Sequence, residues 1–295
     1  MSGPESVPYN FGALPEEYSQ LEKSWLVILP VPYDSTASYR SGAKEGPQAI
    51  INASRNLELF DGELLCDVST QGIHTLPELM PDHRGPEHMI ETVEEVAGKI
   101  LSQDKMLVTL GGDHSITLGV VRAYKEIFPK LSVLQIDAHL DLRHHYAGTI
   151  YSHASVMRRV YELSSITQVG IRSFSREEHD FVIEKGLKPF YKNNISYRED
   201  WPDEVIERLS DEVYVTIDLD GLDPSIMPSV GTPEPGGLGW YEVLGLLRRL
   251  AEKRRIVGFD VMELCPEPGN VAPDFLAAKL VYKLATYTLL SSKRG

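Results

Sequence analysis

The chain has 295 residues, 42% hydrophobic and 24% charged, the balance of a soluble globular protein long enough to bury a large core. A formal net charge of −14 at pH 7 argues against nucleic acid or an anionic membrane as the main partner and is compatible with a cationic ligand. Two cysteines, Cys66 and Cys265, form no CxxC pair, which argues against a disulfide scaffold and for a reducing compartment.

The first 24 residues are polar and contain Pro, Asn and Glu. They lack the basic start and apolar run of a signal peptide, and no apolar run approaches the roughly 20 residues of a membrane span. They read as an irregular arm with a short helix at 16–23, ahead of a single domain over 25–295 in a cytoplasmic protein. Residues 25–30 (WLVILP) are a continuous apolar run, the pattern of a buried parallel strand. A loop rich in Gly, Pro and Ser follows, PYDSTASYRSGAKEGPQAI, and Pro47 suits the first turn of a helix over 47–55. At 87–101 Ile90, Val93, Val96, Ala97 and Ile100 share one helical face. A strand at 106–110 ends in GGDHS and precedes a helix over 115–128. The next strand, 131–136, runs into DAHLD, then a loop, then a helix over 154–163. A strand at 166–171 precedes a helix at 176–185, with a short edge strand at 187–191 and a helix at 202–209. The strand 213–217 ends in DLDGLDPS, and a long Pro- and Gly-rich loop leads to an amphipathic helix over 240–253. The last strand, 256–261, ends in MELCPEPG, and a helix over 275–290 closes the chain. Alternating strands and helices predict an α/β fold, a parallel sheet covered on both faces.

Four strand ends carry ionisable clusters: Asp113 and His114; Asp137, His139 and Asp141; Asp218 and Asp220; Asp260 and Glu263. Open α/β sheets bind ligands outside the carboxyl ends of their strands. In an extended chain Asp137, His139 and Asp141 share a face, and carboxylates with imidazole suit a divalent ion such as Mn, Zn or Fe(II). Helix capping accounts for Ser115 and Asp113 but not for two DxD-type pairs behind buried strands. Carboxylates packed together without cations cost heavily in desolvation and repulsion. Asp137, Asp141, Asp218 and Asp220 bring four negative charges, which two divalent ions balance and one does not.

GGDHS at 111–115, DAHLD at 137–141, SHASV at 152–156, DLDGLDP at 218–224, GTPEPGGL at 231–238 and DVMELCP at 260–266 together resemble the ureohydrolase family of arginases, agmatinases and relatives. The resemblance spans residues 26–290 with the motifs in order. It implies an arginase-like three-layer α/β/α sandwich with a mainly parallel eight-stranded sheet and two Mn2+ per subunit. By motif, one ion would be held by His114, Asp137, Asp141 and Asp218, the other by His139, Asp137, Asp218 and Asp220. No ligand position has lost its residue type, which speaks against a non-catalytic regulator of the same fold. A deacetylase on a related fold would use one Zn and a different ligand set. In the implied chemistry two metals hold a shared water as hydroxide, which attacks a guanidinium carbon. Asp141 orients that hydroxide, Glu263 pairs with the guanidinium, and His153 passes a proton to the leaving amine. Asp113 supports its motif, Asp260 is a partner behind the ligands, and His144 and His145 lie near the mouth.

For the substrate, LRHHYAGTIYSHAS lacks the Asn- and Ser-rich features with which arginases hold an α-amino acid, and Ser175 stands where they place an aspartate. Glu178 remains a candidate to receive a substrate amine. The motifs look most like agmatinases, so agmatine, giving putrescine and urea, is the expected substrate. N1-aminopropylagmatine, giving spermidine, is the near alternative, with arginine or guanidinobutyrate behind. The family implies a homo-oligomer, trimer or hexamer, and the arm is a candidate subunit contact.

Overall fold

A computed structural model describes residues 6–292. Eight strands form one sheet: β1 (Leu26–Val31), β2 (Ile73–Thr75), β3 (Met106–Gly111), β4 (Ser132–Ile136), β5 (Ser165–Ile171), β6 (Phe190–Tyr191), β7 (Glu212–Asp218) and β8 (Arg255–Met262). Every pairing is parallel, and the spatial order is β2-β1-β3-β8-β7-β4-β5-β6. All six residues of β1 are buried because both faces of the sheet are covered. Leu26 and Ile28 pack into one apolar layer, and Val27, Leu29 and Val31 into the other, as the two-residue repeat of a strand demands.

The first layer is roofed by α1 (Gly46–Ser54), α7 (Trp201–Glu207), α8 (Trp240–Lys253) and α9 (Ala272–Ser292). The second is roofed by α2 (Pro86–Leu101), α3 (Thr117–Ile127), α4 (Val156–Tyr161) and α5 (Arg176–Lys185). A four-residue helix, α6 (Lys192–Ile195), follows β6. No helix among the described residues is long and apolar enough to cross a membrane.

The elements read from periodicity recur with small shifts, and three differences have physical causes. Strand β2 is three residues long and holds His74, so it leaves no apolar run to read. The edge strand expected at 187–191 shrinks to Phe190–Tyr191, because only those residues pair with β5. The short helix expected at 16–23 is two 3-10 turns, Glu16–Tyr18 and Leu21–Lys23. Upstream of them Phe11 and Leu14 are buried in the first apolar layer. Residues 1–5 of the expected arm lie outside the described residues.

At the end of β3 the backbone of Gly112 lies so close to the loop after β1 that an added Cβ would stand 1.8 Å from the carbonyl oxygen of Tyr33. Glycine is required there by close approach. Gly112→Ala should therefore displace that loop and cost at least about 1–3 kcal/mol, the usual range for overpacking. Gly98→Ala, in α2 with open space around its Cβ, should be neutral or stabilising. Thermal midpoints of the two variants test this, and equal stability would remove the close-approach account.

Candidate metal centre

The strands whose ends carry the ionisable clusters, β3, β8, β7 and β4, are the four central neighbours of the sheet. Their carboxyl ends therefore open onto one space. His114 begins a 3-10 turn, His114–Ile116, ahead of α3, with Asp113 as its cap accepting from Ser115 N at 3.1 Å. Asp218 closes β7, and Asp220 lies in the turn Leu219–Gly221.

Backbone amides fix one oxygen of each central carboxylate. Asp137 Oδ1 accepts from His139 N at 2.6 Å, Asp218 Oδ1 from Asp220 N at 2.9 Å, and Asp220 Oδ1 from Ala138 N at 3.1 Å. The carboxylates also turn oxygens toward the imidazoles. His114 Nδ1 lies 3.1 Å from Asp141 Oδ2, 3.3 Å from Asp137 Oδ2 and 3.4 Å from Asp218 Oδ2. His139 Nδ1 lies 2.9 Å from Asp220 Oδ2 and 3.6 Å from Asp137 Oδ1. Two ligand sets result, His114–Asp137–Asp218 and Asp137–His139–Asp220, with ligand atoms inside each set no more than 4.8 Å apart. Asp137 belongs to both, one oxygen toward each imidazole.

The extended run expected from Asp137 to Asp141 is not what brings these side chains together. Strand β4 stops at Ile136, and the chain bends so that Ala138 O accepts from Arg172 N and Ser173 N at 2.8 and 3.0 Å. Asp141 then adopts φ +52°, a left-handed conformation costly for a residue with a Cβ. That turn aims its carboxylate back at His114.

The polar residues behind His114 bear on whether the cluster suits a cation. Asp260 accepts three hydroxyl hydrogen bonds, from Thr216 at 2.6 Å, Tyr214 at 2.7 Å and Thr117 at 2.9 Å. With its proton committed to Asp260, the Thr216 hydroxyl oxygen accepts from His114 Nε2 at 2.8 Å. Nδ1 is thereby left fully buried, without a hydrogen bond, facing three carboxylates. A neutral ring so held presents its lone pair to the cluster, the arrangement a metal-bound histidine needs. The donor set of carboxylate oxygens and imidazole nitrogens fits a divalent cation.

Without a cation the cluster holds protons. Burial works against an imidazolium at His139, but Asp220 and Asp137 push its pKa up to about 12. His114 is likewise held well above its ordinary value by Asp137, Asp141 and Asp218 against burial. Burial and the neighbouring Asp137 push Asp141 up to about 7.

A cleft of about 280 Å3 opens above the cluster, with His139, Asp141, Asp218 and Asp220 at its base. Glu263 joins them, at φ +66°, with Oε1 accepting from His114 N at 2.8 Å. Burial, then the charge of Asp113, raises its carboxyl well above the usual range, so the charged form is favoured only with a cation beside it. His153 and Glu178 also line the cleft. Both Glu178 oxygens are engaged by the chain: Oε1 by Leu142 N at 3.0 Å, Oε2 by Ser175 N and Oγ at 2.8 Å each. This is a capping box on α5, so a substrate amine would compete with those bonds. His144 and His145 are exposed, and the cleft lining passes from Arg143 to Tyr146 without them.

Sequence reasoning missed three residues. Thr216 sits inside an apolar strand, where threonine reads as an ordinary β-former. Thr36 contacts His153 from a loop 117 positions away. Arg172 packs its guanidinium against the loop after β7, donating to Asp220 O at 2.7 Å, Glu234 O at 2.8 Å and Pro235 O at 3.1 Å. Only the last carried a sequence signal, a cation between a buried strand and a helix cap.

The Arginase family pattern matches residues 24–286. The N(1)-aminopropylagmatine ureohydrolase of Synechocystis sp. is 39% identical over 294 residues, covering 95% of this chain and 96% of that protein. That of Thermus thermophilus is 42% identical over 270 residues, covering 90% and 91%. The crystal structure of the agmatine ureohydrolase of Thermoplasma volcanium superimposes with a TM-score of 0.87 at 34% identity, covering 97% of this chain and 96% of that one.

Thr216→Val and Asp260→Asn should each weaken binding of one ion by about 10–100-fold, the usual effect of losing a histidine's outer partner, while the ion beside His139 is retained. Metal content after dialysis and calorimetric titration report this, and two ions bound with unchanged affinity would refute it. Binding should also release protons, because the ligating forms are neutral imidazole and ionised carboxylate. Both imidazoles hold protons through the neutral range and Asp141 is pushed up to about 7, so affinity should fall as pH drops across that range and more steeply below about 7, by about tenfold per unit for each proton displaced. Titrations in buffers of different ionisation enthalpy measure that proton release; none at pH 7 would contradict it.

Proposed function

Because the chain belongs to the Arginase family, as a ureohydrolase that hydrolyses C–N bonds in linear amidines, we propose that it releases urea from a guanidino polyamine, N1-aminopropylagmatine first and agmatine second, using two Mn2+. The observation that carries the reading is the sharing of Asp137 between two ligand sets at the base of a cleft that also holds Glu263 and His153. The preference for the longer substrate is supported by the names of the two relatives and by the cleft's outer wall. Tyr39, 84% exposed, and Phe174, 40% exposed, line that wall, and aromatic faces attract ammonium groups of a tail reaching the surface. Agmatine stays as the second reading because the Thermoplasma protein bears that name.

Two divalent ions would lower the pKa of water beside them and so supply the nucleophile. Asp218 would join Asp137 in holding the ions. Asp141 accepts a hydrogen bond from the nucleophile. Glu263 pairs with the guanidinium, whose planar fork matches a carboxylate, and holds its carbon above the base of the cleft. The water oxygen bonds to that carbon, and the bond to the alkylated nitrogen breaks with its electron pair on nitrogen. Both water protons finish on the leaving nitrogen, and His153 delivers one of them. Urea and an alkylammonium ion are the products.

Urea release from aminopropylagmatine, agmatine, arginine and guanidinobutyrate, with and without Mn2+, tests the reading. The expected order of kcat/KM is the order just given. Urea from none of them would sink the proposal, and arginine as the best substrate would overturn the polyamine assignment. His153→Ala should slow turnover by about 10²–10⁴, the range for losing a positioned proton donor, with two ions still bound.

A further inference from the structure

The loop after β1 reaches across the cleft edge to His153, and one side chain makes the contact. Thr36 is 9% exposed and meets His153 twice. Its Oγ1 accepts from the His153 backbone N at 3.0 Å and lies 3.0 Å from the ring Nδ1. Thr36 is itself fixed from behind. Its own backbone N donates to Asp113 Oδ2 at 3.0 Å, and Asp113 N donates to Tyr33 O at 2.7 Å. The other Asp113 oxygen is taken by Ser115. The aspartate of GGDHS thus links the turn that bears His114 to the loop that holds His153. On the open side, the Tyr146 ring stands edge-on to His153 at 5.6 Å, almost perpendicular.

We propose that Thr36 is the positioning residue for His153: its hydroxyl holds Nδ1 in both protonation states of the ring and leaves Nε2 as the nitrogen that serves the cleft. This rests on the reading of His153 as the proton donor to the leaving amine.

The argument is one of donors and acceptors. A hydroxyl is one donor and two acceptor sites. One acceptor site is filled by the His153 backbone in either state. When the ring is an imidazolium, Nδ1–H donates to the second acceptor site. When Nε2 has given its proton to the leaving amine, Nδ1 keeps its own and goes on donating to the same hydroxyl. A carboxylate in this place would favour the charged ring alone, and an apolar residue would leave Nδ1 unpaired beside the cleft. Threonine does neither, so His153 can pass through both states without swinging. The charges that act on the ring are those of Asp113 and His114 from the turn after β3, and of Asp137 and His139 from the loop after β4. Burial lowers the His153 pKa, with Asp113 opposing it, so the ring charges reluctantly and gives up its proton readily.

Thr36→Val removes the hydroxyl and keeps the shape; Thr36→Ser keeps the hydroxyl. In the metal-loaded enzyme Thr36→Val should lower kcat by about tenfold or more, part of the ~10²–10⁴ that positioned proton transfer contributes, with KM changed by less than about twofold. Metal content should stay at two ions. The stronger of the two lost hydrogen bonds is the one from the charged ring, so the His153 pKa should fall. Activity that needs the imidazolium should then be lost at lower pH, moving the alkaline limb of the kcat profile downward. Thr36→Ser should restore most of kcat and return the limb. A Thr36→Val enzyme with wild-type kcat and pH profile would overturn the proposal, as would a kcat loss that tracks loss of metal or is not rescued by serine. Failure of the underlying reading looks different: His153→Ala itself would then leave turnover unchanged, or the wild type would release no urea.

Discussion

Mutual repulsion among buried carboxylates is the constraint on which the structure turns. Asp137, Asp141, Asp218 and Asp220 share one small space with only two imidazoles between them. In the ion-free cluster the strain shows as displaced titration: Asp218 and Asp141 are pushed up, and both imidazoles are held charged. A pair of divalent cations would relieve all of this at once. Such an arrangement persists through folding only if the scaffold around it is rigid, and the parallel sheet, buried on both faces, supplies that rigidity.

The rigidity is local as well. Asp137, Asp218 and Asp220 each have one oxygen tied to a backbone amide, which leaves the second oxygen little freedom. Asp141 and Glu263 are held in left-handed backbone conformations that a residue with a Cβ avoids, and both stand at the base of the cleft. Arg172 binds the loop after β7 through several carbonyls, so the turn bearing Asp220 cannot drift from the turn bearing Asp137. Gly221 permits that approach, since a Cβ there would lie 2.8 Å from Asp137 N.

Much of this was legible in the sequence, for identifiable reasons. Long parallel strands buried on both faces are continuous apolar runs, so β1, β3, β4, β7 and β8 could be read directly. The candidate ligands stood out because paired carboxylates directly behind such runs add nothing to an apolar core and exceed what capping the next helix needs. The turn at Asp141 was not legible, because it follows a bend at Ala138 whose hydrogen-bond partners, Arg172 and Ser173, lie just past β5 and far along the chain. Thr36 and Thr216 act through contacts 117 and 102 positions away, and neither residue type marks such a role. Glu178 is the instructive case. Ser175-x-x-Glu178 is the pattern of a capping box, and its local pairing was readable beside the possible role toward substrate.

The strand order has a consequence for how the protein is made. The last strand, β8, lies between β3 and β7, near the middle of the sheet. Until it is in place the sheet exists as two separate pieces, β2-β1-β3 and β7-β4-β5-β6. His114 belongs to the first piece, and the other five candidate ligands belong to the second. On the ribosome, where domains form from the N-terminus onward, the two pieces can collapse but cannot join. Their exposed inner edges are open to wrong pairing until residues 255–262 emerge. The candidate metal centre is therefore a product of the final, long-range step, and an ion held there would stabilise the finished chain but not a partly synthesised one.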